Sequence, residues 1–197
     1  MSQDDKISNT GKVFEKYNGI PDWVFEEEVF EDNKAIWWSP DATKLVWGSF
    51  DDSDVKTYFL QEYGNWKNPL RQYPDLDEVH YPKVGQKNPK NSLWMTDLTN
   101  ETMAKKLIKP PHSLSQEGEV HFSQVTWVDE GQKFAVTWFN RVQNKSVVTL
   151  CKVSDDLDCS SNDIFKRVSS SIYHRTFEKF AKSEIPRRLD VYFMVTR

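Results

Sequence analysis

The residues best suited to chemistry lie in one short stretch, Asp22-Trp23-Val24-Phe25-Glu26-Glu27-Glu28-Val29-Phe30. Adjacent carboxylates can hold an ammonium group through charge-assisted hydrogen bonds, each contributing about 1.5–3 kcal/mol. The same triplet is also what a solvated helix start looks like, since carboxylates favour the positive end of the helix dipole. Gly19-Ile20-Pro21 precedes it, so the pattern predicts a turn followed by a short helix that carries the glutamates. Elsewhere the chemistry is sparse. The seven glycines build neither a Gly-x-Ser-x-Gly elbow nor a phosphate loop, and there is no His-Glu-x-x-His. His80, His112, His121 and His174 are scattered without metal-ligand spacing and read as surface or turn histidines. The expectation is therefore no catalytic residue, no metal and no cofactor. Cys151 and Cys159 stand eight positions apart. A disulfide closing that short loop would stabilise the fold by about 2.6 kcal/mol in the loop-entropy account. Two free thiols in a reducing compartment are the alternative. Asn100-Glu101-Thr102 and Asn144-Lys145-Ser146 are glycosylation sequons, a slight tilt toward an extracytoplasmic protein.

The elements that must position these residues read as β structure. Hydrophobic content is 38%, yet the chain holds 8 Trp, 7 Tyr and 12 Phe, which argues against disorder and for half-buried pleated surfaces. One internal repeat is visible. Trp38-Ser39-Pro40-Asp41-Ala42-Thr43-Lys44-Leu45-Val46-Trp47 aligns with Trp127-Val128-Asp129-Glu130-Gly131-Gln132-Lys133-Phe134-Ala135-Val136. In each, a Trp ends a strand, a polar turn follows, and a Lys then an apolar residue open the next strand, a hairpin signature. Further strands are expected at Ser92–Thr96 and Ser146–Cys151. Recurring antiparallel hairpins of this kind resemble blades of a β-propeller. The two Trp anchors are 89 residues apart, about twice a blade of ~40–50 residues. The excess is assigned to an inserted arm over 51–89, a long loop or protruding hairpin. The tail over 160–197 is expected to hold a short helix near Tyr173–Phe180 and a strand near Asp190–Val195. The fold class is thus all-β, a partial β-propeller of about two to three blades of four-stranded antiparallel sheet, with one short helix bearing the glutamates. Since two or three blades cannot close a ring, the chain is expected to be an incomplete propeller domain.

Composition also limits partners. The net charge is −4 with no basic stripe, so nucleic acid is not expected. No apolar run approaches the ~20 residues of a membrane helix, and the first residues lack the apolar core of a signal peptide.

Tyr17-Asn18-Gly19-Ile20-Pro21-Asp22-Trp23-Val24-Phe25-Glu26-Glu27-Glu28-Val29-Phe30, followed by Ala35-Ile36-Trp37-Trp38-Ser39-Pro40, resembles the signature of the dipeptidyl peptidase IV and fibroblast activation protein family of serine exopeptidases. Tyr81-Pro82-Lys83-Val84-Gly85-Gln86-Lys87-Asn88-Pro89, Thr126-Trp127-Val128 and Asn140-Arg141-Val142-Gln143-Asn144-Lys145-Ser146-Val147 resemble further family blocks, in family order, from about residue 11 to 159. The resemblance implies an N-terminal propeller region whose Glu27 and Glu28 clamp the free amino terminus of a peptide, with Phe30 near the substrate pocket. It implies a disulfide between Cys151 and Cys159, at a spacing shorter than the family's, and glycosylation at Asn144, with Asn100 a second candidate. It implies that arm 51–89 contributes to homodimer or heterodimer formation. The family is membrane-anchored (type II) or secreted, and extracellular. Its catalytic α/β-hydrolase domain has no counterpart in these residues, so the chain by itself is expected to be an inactive fragment of a dipeptidyl aminopeptidase. The alternative is a non-catalytic propeller fragment that pairs with a full-length relative. Past Cys159 the resemblance fades.

Overall fold

A computed structural model describes residues 7–65, 67–100, 102–154 and 157–166. The expected helix near Tyr173–Phe180 and strand near Asp190–Val195 lie outside the described residues. The chain runs through β1 (Lys16–Asn18), α1 (Trp23–Phe25), a π-helical turn (Glu26–Phe30), β2 (Ile36–Trp38), β3 (Lys44–Asp51), β4 (Thr57–Glu62), β5 (Asp75–His80), β6 (Lys90–Asp97), β7 (Lys106–Ile108), α2 (His112–Ser115), β8 (Val120–Val128), β9 (Lys133–Asn140), β10 (Lys145–Lys152) and β11 (Asp158–Lys166). One sheet has the order β1-β3-β6-β7, with β2 also paired to β3. A four-stranded sheet has the order β11-β10-β9-β8, and β4 and β5 form a two-stranded hairpin. The architecture is all-β, that of a partial β-propeller. No helix among the described residues is long and apolar enough to cross a membrane.

The described residues divide into two compact units, one within 7–36 and 47–94, the other within 37–46 and 95–166. In the second unit, β8, β9 and β10 are antiparallel neighbours. β9 is buried along nearly its whole length, as a central strand covered on both faces must be. Phe122 packs edge-on to Trp138 with ring centroids 5.9 Å apart, and Trp127 lies 5.1 Å from Phe134. Trp138 is buried, and its indole N–H donates to Thr149 Oγ1 across the β9–β10 pair at 2.9 Å. That bond spares the indole an unsatisfied donor. Both repeated hairpin turns belong to this unit. In the first, the Asp41 carboxylate accepts from Ser39 Oγ, Thr43 N–H and Thr43 Oγ1. These three donors hold its carboxyl well below the usual carboxylate range. In the second, Gly131 takes a φ of 87° and its Cα faces Ser39 and Pro40 closely enough that an added Cβ would stand 3.3 Å from each. The two turns therefore pack on one another, and the Trp127 indole donates to the Trp37 carbonyl at 3.0 Å. Cys151 and Cys159 face each other across the β10–β11 pair and form a disulfide.

In the first unit, β1 pairs antiparallel with the far end of β3, Tyr17 opposite Phe50. The chain then leaves the sheet at Gly19 and returns at Ala35. Gly19 N–H donates to the Gly48 carbonyl at 2.8 Å, Ala35 N–H to the Gly19 carbonyl at 3.0 Å, and Gly48 N–H to the Ala35 carbonyl at 2.8 Å. The loop between them carries the glutamates, and its two ends are stapled to one residue of β3. Beyond β3, the arm is a bare two-stranded hairpin. Every residue of β4 is exposed, including Tyr58, Phe59 and Leu60. The hairpin is tied down at its base, where His80 Nδ1 lies 2.9 Å from the Val55 carbonyl and Tyr81 N–H donates to the Lys56 carbonyl.

Two outcomes follow from this framework. Reducing the disulfide, or replacing both cysteines with serine, should lower unfolding free energy by about 2–3 kcal/mol, read from urea denaturation. An unchanged denaturation midpoint would contradict it. Gly19→Ala should cost about 1–2 kcal/mol, because Gly19 has a φ of 75° that a Cβ penalises. The nearest atoms to that Cβ are the flexible end of Ile36, 2.7 Å away, which can swing aside, so the backbone term dominates.

Candidate functional site

The glutamate turn is built on an aromatic anchor and a carboxylate cap. Phe25 is buried, 4.9 Å from Phe50 and 5.7 Å from Phe30 between centroids. Phe30 closes the cluster 6.0 Å from Phe50. The three rings pin both ends of the turn to the β3 strand. Asp22 caps α1, its Oδ2 accepting from Val24 N–H at 2.9 Å, and Glu26 N–H donates to the Asp22 carbonyl. Glu31 ends the turn in the left-handed region, φ 53°. The acidic triplet after Gly19-Ile20-Pro21 predicts a short helix here, and the structure has one, three α-helical residues continued by one π-helical turn, a geometry frequent at functional sites.

This backbone sets the glutamates outward. Glu26 is half-buried, and Glu27 and Glu28 are exposed. Among the described residues, none of the three makes an ion pair. Glu26, Glu27, Glu31, Asp32 and Asn33 line an open pocket of about 460 Å³. Four carboxylates that form no ion pair among the described residues concentrate negative potential there, which favours a cationic guest. Glu27 thus stands in the pocket wall, whereas Glu28 is exposed outside its lining. Phe30 is half-buried and spends its ring on Phe25 and Phe50. Sequence reasoning passed over Glu26 as a wall residue and missed Glu31 and Asp32. The signal available was the acidic pair immediately after Val29-Phe30, brought back to the first glutamates by the turn.

Trp23, on α1, is partly exposed and meets Tyr81 edge-to-face at 5.2 Å, which joins the glutamate segment to the Tyr81–Pro89 block. The other site candidates lie apart. Asn100 is exposed, its Oδ1 accepting from the Thr102 N–H and hydroxyl. Asn144 is exposed, its Oδ1 accepting from Asn140 Nδ2 at 2.8 Å. Among the described residues, no three His, Cys, Asp or Glu side chains converge to hold a metal ion.

Comparison with known proteins shows the family. The family described as "Dipeptidyl peptidase IV (DPP IV) N-terminal region" matches residues 2–182. Venom dipeptidyl peptidase 4 of Vespula vulgaris is 44% identical over 132 residues, covering 67% of this chain and 17% of that protein. Dipeptidyl peptidase 4 of Bos taurus is 36% identical over 154 residues, covering 76% of this chain and 20% of that protein. The crystal structure of Porphyromonas gingivalis dipeptidyl peptidase 4 superposes with a TM-score of 0.68 at 24% identity, over 82% of this chain and 21% of that one. The chain thus spans about a fifth of the length of the relatives it matches. It belongs to the dipeptidyl peptidase IV N-terminal-region family.

Proposed function

We propose that this chain supplies the peptide N-terminus clamp of a dipeptidyl aminopeptidase, with Glu27 and Glu28 as the residues that hold the substrate ammonium. The observation that carries this reading is the π-helical turn that presents unpaired carboxylates beside an open acidic pocket. An ammonium has three donors, and two carboxylates approached from different sides satisfy them with charge-assisted bonds. A clamp of this kind works as a ruler. It fixes the amino terminus at a set distance from the point of cleavage, so that the cut falls after the second residue, and a blocked amino terminus loses its hold. Phe30 supports the clamp by packing rather than by touching the peptide. The cleaving nucleophile is assigned in this reading to another part of the polypeptide, so the 197 residues by themselves bind without hydrolysing. The disulfide and the two sequons fit an oxidising, extracytoplasmic setting, with glycans on Asn100 and Asn144.

A second reading rests on the arm. Tyr58, Phe59, Leu60 and Leu76 of the β4–β5 hairpin are 43–64% exposed, and an isolated two-stranded hairpin is marginal in water. These side chains are assigned to an interface with a second copy or a full-length relative. That assignment keeps the alternative of a non-catalytic propeller segment acting through pairing.

Titration of Gly-Pro amide against the chain, followed by NMR, should perturb the Glu27 and Glu28 resonances, and the N-acetylated peptide should not. Glu27→Gln or Glu28→Gln should each weaken binding about 10–100-fold. Equal binding of the acetylated peptide would overturn the clamp. For the arm, light scattering coupled to size exclusion should show a dimer that Phe59→Lys with Leu60→Lys converts to monomer. A monomer before and after substitution would remove the second reading.

A further inference from the structure

Beneath the glutamate turn, two carboxyl groups are buried where one would suffice. Asp22, the cap of α1, is 1% exposed, and Asp52, one residue past the end of β3, is 2% exposed. In each, Oδ1 is buried and has no hydrogen-bond partner. Asp52 is held in place by its backbone, its N–H donating to the Glu15 carbonyl at 2.7 Å and its carbonyl accepting from Val55 N–H at 2.8 Å. The groups that bear on this pair come from every element around it. They are the Tyr17 phenol on β1, Glu26 on the turn, and Asp51 on β3, whose charge is met by Lys16 at 2.9 Å. No cation among them reaches Asp52: the charges acting on it, Asp22 and Asp51, are both negative.

We propose that Asp22 and Asp52 form a proton-holding carboxyl pair that seats the glutamate turn, Asp22 as the ionised cap and Asp52 as a neutral acid. The assignment of roles follows from the donors. Asp22 has the Val24 N–H to stabilise its anion, whereas among the described residues no donor reaches the Asp52 carboxyl. Two buried carboxylates without a counter-cation cannot both ionise cheaply, so one proton stays. On Asp52 that proton removes the charge from a carboxyl whose buried Oδ1 has no donor. Burial and the neighbouring Asp22 charge push the Asp52 carboxyl up to about 8, and burial pushes Asp22 up to about 6. Both also hold the Tyr17 phenol above its usual range, after its own burial. Asp52 is thus a positioning residue for the turn. Its ionisation places a second negative charge beside the cap and pushes Asp22 off Val24. The inference concerns how the turn is seated and does not depend on what the turn binds.

The sign of the pH dependence is fixed by these shifts. A carboxyl whose folded pKa lies above its unfolded value contributes stability that is fully present below about pH 4. That contribution is lost as pH rises through about 6 and about 8. The surface carboxyls held low, Asp41, Asp51, Asp54 and Asp97, act in the opposite sense, but only below pH 4. Buried His121, pushed down to about 4, gains stability as pH rises from about 4 to 6.5, so the window from about pH 7 to 9 is the one that reports Asp52.

Carboxyl carbon and amide NMR of the intact chain across pH 4–10 tests the proposal. The Asp52 carboxyl should titrate near pH 8, and the Val24 amide should shift with the same midpoint as its cap is disturbed. Asp22→Asn, which keeps a capping oxygen but no charge, should lower the Asp52 midpoint by at least about one unit. Asp52→Asn should abolish the Val24 shift near pH 8 and remove the fall in melting temperature between pH 7 and 9. Completion of both wild-type titrations below pH 5 would overturn the pair. So would a Val24 amide unmoved near pH 8, and both readings stand even if a substituted chain fails to fold.

Discussion

The peptide groups of Gly19, Ala35 and Gly48 hold the site on the fold. Gly48 uses its carbonyl on one end of the glutamate loop and its N–H on the other, and the two ends bond to each other. Without this junction the segment from Gly19 to Ala35 would be a long, polar excursion paying the full entropy of an open loop. With it, the loop is an outgrowth of β3, and the chain enters and leaves at fixed positions. Gly19 can serve because a φ of 75° costs glycine nothing. The aromatic cluster then acts on a loop already closed. Phe25 and Phe30 meet Phe50 two residues beyond Gly48, so the same strand that ties the ends also sets the height and tilt of the turn.

Carboxylates are used in two opposite ways within a few residues. On the outer side, Glu27 and Glu28 remain in water, where like charges about 4 Å apart repel by only about 1 kcal/mol. They can therefore stand side by side at little cost, Glu27 in the pocket wall and Glu28 just outside it. On the inner side, Asp22 and Asp52 are out of water, and the same chemistry becomes expensive unless a proton or a donor intervenes. Depth, not residue type, separates the carboxylates left in water from those that must be neutralised or hydrogen-bonded. Asp22 belongs to both worlds, since its carboxylate is buried but turned onto the backbone of the helix it caps.

Much of this was legible in advance. The paired hairpins were readable from the recurrence of Trp, a polar turn and Lys, because a tight turn between two strands imposes the same local demands wherever it occurs. The acidic triplet stood out for its charge density and its aromatic flanks. Other features were not readable. A π-helical turn uses the residues an α-helix would use, and what selects it here is that Phe25 and Phe30, five apart, both reach Phe50. The arm gave weak periodicity because β4 is exposed on both faces, so no alternation was imposed on it. Nothing in the spacing of Asp22 and Asp52 links them, since they stand thirty positions apart with the loop and β3 between them.

The sequence by itself determined the family, the β class and the stretch that carries the carboxylates. These depend on residue types and short spacings, and those survive without any knowledge of where the chain goes. Only the tertiary structure decided which carboxylates share a pocket, which are out of water, and that the Phe30 ring packs on Phe25 and Phe50. The reason is that each of those facts is a distance between residues separated along the chain. Such distances are set by strand pairing and by the closing of one loop on Gly48, not by any local preference.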